Sequence, residues 1–287
     1  DIMLGGLDTG SGQVHLVSSQ GSVLDGGDVF KDVQSEGLFI DVAQKAGQEQ
    51  GEGYGRLDIQ IATLASNIGN GLYIAEDDGL ELGQVQVQVA QVQEDGSVVQ
   101  SGVNGEGIHA STEAEVEVVS QTGDIGVDAD IDNPEGNVLL QARSGEVPEE
   151  SGIEVTAENY LRVEGRDVFF TWRRGAPVDI YAVDVDRNGE HQDRRWTLQR
   201  SVQHNVSNLG LYTYSVTSYI EGDPVRRYDP ISVTIQDDLI ITPLETLSPD
   251  EILEVDWNAV SQADAYQVKL YQEDTVLASA WVSDRTT

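Results

Sequence analysis

Between Glu115 and Val147 the chain writes nearly the same phrase twice, as "EVEVVSQTGDIGVDADIDNPEGNVLLQARSGEV". Val116 and Val118 alternate with polar residues, Gly123 breaks the run and Ile125 resumes it. Gly136, Val138, Leu140, Gly145 and Val147 then repeat the pattern. Alternation at period two puts apolar side chains on one face of an extended strand, and the glycine that ends each run marks a corner. The phrase recurs elsewhere. "VHLVSSQGSV" (14–23) aligns without a gap on "VEVVSQTGDI" (116–125), and looser copies lie at 40–47, 59–68, 72–80 and 138–147. From Val116 to Val138 the step is 22 residues, and it drifts elsewhere around insertions such as "QEQGEGYG". Short strands at such spacing suit a sandwich or a barrel. Copying of a whole strand–glycine–strand unit favours a solenoid, in which each rung buries its apolar residues only by stacking on its neighbours. Sustained i, i+3, i+4 apolar patterns with caps are absent. The expectation is an all-β chain that opens with a parallel β-helix over residues 1–150. At ~4.8 Å per rung that segment forms a rod.

Composition narrows the partners. Against 51 acidic residues stand 16 basic ones, a formal net charge of -35. Such a surface repels phosphate backbones and anionic lipid, so nucleic acid and membrane surfaces are set aside. With no cysteine, neither a disulfide framework nor a thiolate metal site can form. Runs such as "LIITPL" are too short to cross a bilayer, and no export signal is visible. Both ends read as cut, the second inside a domain begun about fifty residues earlier.

A different repeat follows the "RSGEVPEESG" linker. Trp172 and Tyr181 sit nine residues apart, as do Trp257 and Tyr266, and a shift of 85 also carries Trp196 onto Trp281. Three coincidences among large aromatics, in a chain with 4 tryptophans, mark two tandem domains. The boundaries expected are 151–237 and 238–287, the second incomplete. Trp172 and Trp257 would plug the space between two sheets, with Tyr181 and Tyr266 beside them.

Both halves carry resemblances. "GSGQVHLVSSQGSVLDGGD", "GNGLYIAEDDGLELG" and "TGDIGVDADIDNPEGNVLLQA" resemble the rungs of filamentous haemagglutinin-like exoproteins, β-helical adhesins of bacterial surfaces. That resemblance implies a right-handed coil and an exported, elongated stalk or adhesive surface. "VDWNAVSQADAYQVKLY" resembles the B and C strands of fibronectin type III modules, and "LGLYTYSVTSYI" a late strand of fibronectin- or immunoglobulin-like ones. Tyr212 or Tyr214 would then be the tyrosine that bonds back near the strand corner. Around "WRRGAPVDIY" the first module departs from the fibronectin pattern, so it is read as Ig-like.

Two carboxylate runs are candidate metal sites. Asp128, Asp130 and Asp132 alternate and so point the same way, where they repel unless solvated or bridged; calcium takes such oxygen ligands. The competing reading is an acidic, solvent-facing strand leading into the "NPEG" turn. "DVDRNGE" places Asp184, Asp186 and Asn188 at the opening of an EF-hand-like loop, but Arg195 stands where a bidentate glutamate is required. Asn-Gly between strand-like runs is also a hairpin signal, and the hairpin is preferred. His15, His109, His191 and His204 match no metal spacing, and no G-x-S-x-G elbow exists. No catalytic residue is assigned.

The expected function is therefore non-catalytic: a piece of a large exported surface protein, adhesive or structural, with calcium as the one cofactor considered. Its partners would be a host or neighbouring cell surface, a glycan or extracellular matrix, or other copies of itself. A carbohydrate-active β-helix enzyme of the polysaccharide lyase type is the rival. It needs a basic groove with carboxylates, whereas the first half holds only Lys31, Lys45, Arg56 and Arg143, widely spaced. A pure spacer, with binding done elsewhere, is the third reading.

Overall fold

The structure is a computed structural model. It describes residues 1–27, 31–48, 55–92, 94–95, 97–111, 113–173, 178–236, 266–272 and 275–282, with 91–92 and the last two segments described by backbone alone. Among the described residues every regular element is a strand. In chain order they are β1 (Ile2–Leu4), β2 (Leu7–Asp8), β3 (Gln13–Ser18), β4 (Val23–Asp25), β5 (Val33–Val42), β6 (Lys45–Ala46), β7 (Leu57–Ile68), β8 (Gly71–Glu76) and β9 (Leu80–Leu82). There follow β10 (Gln84–Val92), β11 (Val98–Glu106), β12 (Ile108–Ala110), β13 (Glu115–Ser120), β14 (Ile125–Val127), β15 (Ile131–Ala142), β16 (Val155–Glu164) and β17 (Asp167–Trp172). The last are β18 (Ile180–Arg187), β19 (Glu190–Thr197), β20 (Ser201–Asn205), β21 (Gly210–Ile220), β22 (Asp223–Arg227), β23 (Ile231–Ile235), β24 (Tyr266–Gln272) and β25 (Thr275–Val282).

The first half is a parallel β-solenoid of about six turns. Ile2, Val23, Ala46, Leu72, Val116, Val138 and Tyr160 form one ladder, each in register with the next on parallel strands. Their side chains stack into a single interior column with Leu38, Ile40, Leu64, Ile74, Leu82 and Leu140. Val116 and Val138, one repeat step apart in the sequence, are direct partners. From Leu72 to Val116 the interval is 44 residues, twice that step, because the antiparallel hairpin β10–β11 is inserted there.

Corner glycines are required by close approach between rungs. A Cβ on Gly69 would overlap the carbonyl of Ala43, on Gly123 that of Asp78, and on Gly136 that of Ala114. The "NPEG" stretch is a bulge inside β15 rather than a strand end: the register with β16 shifts between Asn133 and Asn137. Asn133 fills the bulge, its Nδ2 donating to the carbonyls of Ala114 (2.8 Å) and Asn137 (3.0 Å). Such a fully buried amide is tolerated because its donors are used.

Past residue 150 the parallel stacking continues through β16, which pairs with β15. β17 and β20 then add antiparallel. A second antiparallel sheet runs β19–β18–β21–β22, with β23 on β21. Phe170 and Trp172 of β17 lie against Tyr214 and Tyr181 of that sheet, centroids 5.5 and 5.3 Å apart, and all four rings are buried. Trp172 thus occupies the inter-sheet position expected of it. By contrast Trp196, its companion in the repeat, lies on the surface against Tyr219 at 5.1 Å.

The chain divides into two compact units, the first holding 1–207 and 211–233, the second 208–210 and 234–287. In the second, β24 and β25 form an antiparallel hairpin in which Tyr266 faces Val282 and Gln267 faces Trp281. In the first, Tyr181 faces Thr197 and Ala182 faces Trp196. Shifted by the sequence repeat, the two registers coincide, including the bulge at Val185/Asp186 and at Leu270/Tyr271. Trp257 lies outside the described residues.

Candidate functional site

Asp128 and Asp130 lie on the corner between β14 and β15, and Asp132 is the second residue of β15. Val127, Ala129, Ile131 and Asn133 between and beyond them are buried, so the pleat drives the three carboxylates into solvent. Asp130 is used structurally: its Oδ1 accepts the Glu154 N–H at 2.9 Å and its carbonyl the Ile108 N–H at 3.1 Å. Asp132 is in register with His109 on one side and Thr156 on the other. Continuing through His109 to Asn67 and Asp41, one residue per rung builds an outer polar row along the coil. A shallow cleft of about 380 Å³ follows part of that row, lined among others by Asp41, Asn67, His109 and Ser111. Sequence reasoning singled out only Asp132 of this row as a candidate and left His109 without a role. The others lie on different rungs, and register is the only thing that joins them.

Among the described residues no group of three or more His, Asp or Glu side chains is placed to hold a metal ion. In the second candidate run, Asp184 makes a two-point pair with Arg194 at 2.5 and 3.0 Å, and Asp186 lies 3.1 Å from His191 Nδ1. Asn188 (φ 52) and Gly189 (φ 81) form the turn between β18 and β19. Positive φ at both central positions is the geometry of the tight hairpin turn that matches strand twist. Asn188 also ties the turn to β21: its N–H donates to the Leu211 carbonyl at 2.8 Å, and its Oδ1 accepts the Leu211 N–H at 2.9 Å.

The cations of the coil are dispersed and engaged. Arg56 bonds Glu117 (2.5 Å), Lys31 bonds Asp77 (2.6 Å), Arg143 bonds Gln121 (2.5 Å) and Lys45 lies 5.8 Å from the Tyr73 ring centroid. A larger, polar cleft of about 910 Å³ lies where β15 and β16 meet the following module, lined among others by Glu113, Glu115, Glu135, Glu158, Arg173 and Arg226. Arg226 bonds Glu158 at 2.5 Å, and Arg173 donates to the Pro134 carbonyl at 2.8 Å. Its lining comes from segments more than a hundred residues apart, with no local signal to group them.

Two titratable groups stand out by environment. Glu76 is fully buried at the end of β8, and desolvation, reinforced by its hydrogen bond to Asp78, pushes its carboxyl up to about 8. Its oxygens accept the N–H groups of Ile61 (3.3 Å) and Asp78 (3.4 Å). At neutral pH it is a neutral acid inside the coil. His204 Nδ1 lies 2.9 Å from the Tyr214 hydroxyl, and burial, then Arg195, hold the imidazole below its ordinary value. The tyrosine of the late strand thus bonds a histidine side chain.

No family model and no curated protein matches the chain. Among solved structures, the FN1–FN3 domains of chicken CNTN1 align with 43% of this chain at 15% identity and a TM-score of 0.20, and the chain spans about half (51%) of that structure's length. An overlap that low carries no argument about this protein. A solenoid followed by antiparallel sheets is compatible with a structural or adhesive fragment.

Proposed function

We propose that the chain is a non-catalytic segment of an exported, elongated surface protein of the haemagglutinin-like kind, serving as a stalk or adhesive fibre. The observation that carries the reading is the unbroken ladder from Ile2 to Tyr160, which passes by way of β16 directly into the following module. A ladder without a hinge transmits position and load, which is what a stalk requires. The dispersal of Arg56, Lys31, Lys45 and Arg143 into separate contacts supports the non-catalytic part, since a lyase-type groove needs cations grouped against carboxylates. Its partners are a cell surface, a glycan or matrix, or further copies of the chain.

Fractionation of the producing cells, blotted with an antibody against this segment, tests the reading. A very large band in the surface or extracellular fraction supports it. A soluble band barely longer than the segment overturns it, and the outer row of the coil then becomes the place to look for an active site.

A further inference from the structure

Trp172 is packed between the two sheets and Trp196 is 53% exposed, yet both recur 85 residues later, as Trp257 and Trp281. Core packing accounts for the first recurrence but not for the second. The second is kept in register as well as in sequence: Trp281 stands opposite Gln267 as Trp196 stands opposite Ala182. A ring of that size, held at one register position in both modules and exposed in the first, has a use outside the core.

In the first module the residues around that ring make a face of mixed chemistry. Tyr181, Val183 and Val185 of β18 point into the core, so Ala182 and Asp184 point outward, with their partners Trp196 and Arg194 on β19 and Thr217 and Ser215 on β21. β19 and β21 flank β18, and the rings of Trp196 and Tyr219 approach to 5.1 Å across it. They roof over Ala182, which is fully buried although it faces away from the core. Beside the rings a row of hydroxyls runs along β21 from Thr217 to Thr213, whose Oγ1 lies 2.8 Å from Ser232 Oγ. Charges on the face are balanced. Asp184 is engaged by Arg194, Asp186 is opposite His191, and Arg227 is opposite Thr217. The face is thus locally near neutral on a chain of net charge -35.

That chemistry selects an occupant. A polyanion is repelled by the chain as a whole. A cation over the rings meets Arg194, two residues from Trp196, and Arg227, opposite Thr217. A protein partner needs about 800 Å² on each side with a core depleted of charge, whereas here the Arg194–Asp184 pair begins beside the rings. An uncharged sugar matches every part. The C–H face of a pyranose ring is apolar with a slight positive polarisation and stacks on the negative face of an indole. Its hydroxyls exchange hydrogen bonds with carboxylate, guanidinium and hydroxyl groups set around the ring. We infer that this outer face is a binding site for neutral glycan, with Trp196 and Tyr219 as the platform and Asp184, Arg194 and Thr217 as its polar contacts. The inference rests on the adhesive reading above, in which a glycan is one of the partners. Binding is read on the purified chain, so its failure leaves the stalk standing, and failure of the fractionation leaves the binding result standing.

Titration calorimetry with cellohexaose, maltohexaose and mannohexaose, and with hexagalacturonate as the acidic counterpart, tests the site. At least one neutral oligomer binds, with an affinity that added salt leaves unchanged because no charge is neutralised. Trp196→Ala weakens that binding about tenfold or more. Thr217→Val, which removes a hydroxyl and leaves the platform in place, weakens it several-fold. Absence of binding to all three neutral oligomers overturns the inference, as does tighter binding of hexagalacturonate or wild-type affinity in Trp196→Ala. A dimer in sedimentation that Trp196→Ala abolishes also overturns it, because the face then belongs to a second copy.

Discussion

The imidazole of His15 lies flat on the ring of Phe39, centroids 4.7 Å apart and planes 6° from parallel. The two are register partners on β3 and β5, and Gly105 of the inserted hairpin is seated against the Phe39 ring, where a Cβ would overlap it. Phe39 is therefore an outward-facing residue that is nonetheless buried, and it fastens the hairpin to the coil. Removing it strips the hairpin base of its support. Phe39→Ala is expected to cost about 3–5 kcal/mol, read as a shift in the urea midpoint. Limited proteolysis should then cut within 84–106 before any other segment. Cleavage that starts elsewhere contradicts the anchoring role.

Stacked corners make a second prediction. Gly123 sits where a Cβ would run into the carbonyl of Asp78 on the neighbouring rung, and backbone cannot yield as a side chain can. Gly126, three residues on, faces the flexible Glu81 side chain at 3.3 Å instead. Gly123→Ala should lower stability by at least about 2 kcal/mol through overpacking, while Gly126→Ala stays within about 1 kcal/mol. Equal losses at both sites, measured by chemical denaturation, would contradict the rung spacing.

The contrast between these glycines shows how far the sequence could be read. Alternation and glycine breaks located the rungs because stacking demands both, and the Val116-to-Val138 step emerged as a real register pair. The aromatic shift did the same for the later modules, down to the partners of Tyr181 and Tyr266. What escaped was anything made by contacts between rungs. The "QVQVQVAQVQ" stretch reads as one more strand, and nothing local says that it leaves the coil as a hairpin. The outer row from Asp41 to Asp132 exists only once register is known, whereas the alternating aspartates were visible because they are neighbours in sequence.

Those aspartates yield a third prediction. Asp130 bonds the Glu154 N–H, Asp184 is taken by Arg194, and among the described residues no group of three or more acidic or histidine side chains is placed to hold a metal ion. Divalent cations should raise the melting temperature only by screening, with magnesium and calcium equivalent. Asp132→Asn should leave that response unchanged. A calcium-selective rise lost in Asp132→Asn would restore a specific site there.

Glu76 supplies the sharpest test, because its cost has a sign and a window. Its carboxyl ordinarily titrates near 4.5 and is pushed to about 8 in the fold. Below pH 4.5 the folded and unfolded chains both hold the proton, and the group costs nothing. Between these values the unfolded chain releases its proton first, so stability falls as pH rises; above about 8 both states are ionised and the loss levels off. At pH 7 the penalty amounts to about 3 kcal/mol. Glu76→Gln keeps one oxygen, able to accept the Ile61 N–H that Oε2 accepts in the wild type, and places an amide NH2 toward Asp78, whose N–H loses its Oε1 acceptor; the variant has no proton to lose. That lost bond is the same at every pH, so the stability of the variant relative to wild type should rise progressively from pH 4.5 to pH 8, read as the difference between paired denaturation curves. Taking the difference cancels the acidic residues that do not touch Glu76, so it isolates this group together with its Asp78 partner. A constant offset across the range would mean that Glu76 is ionised inside the coil.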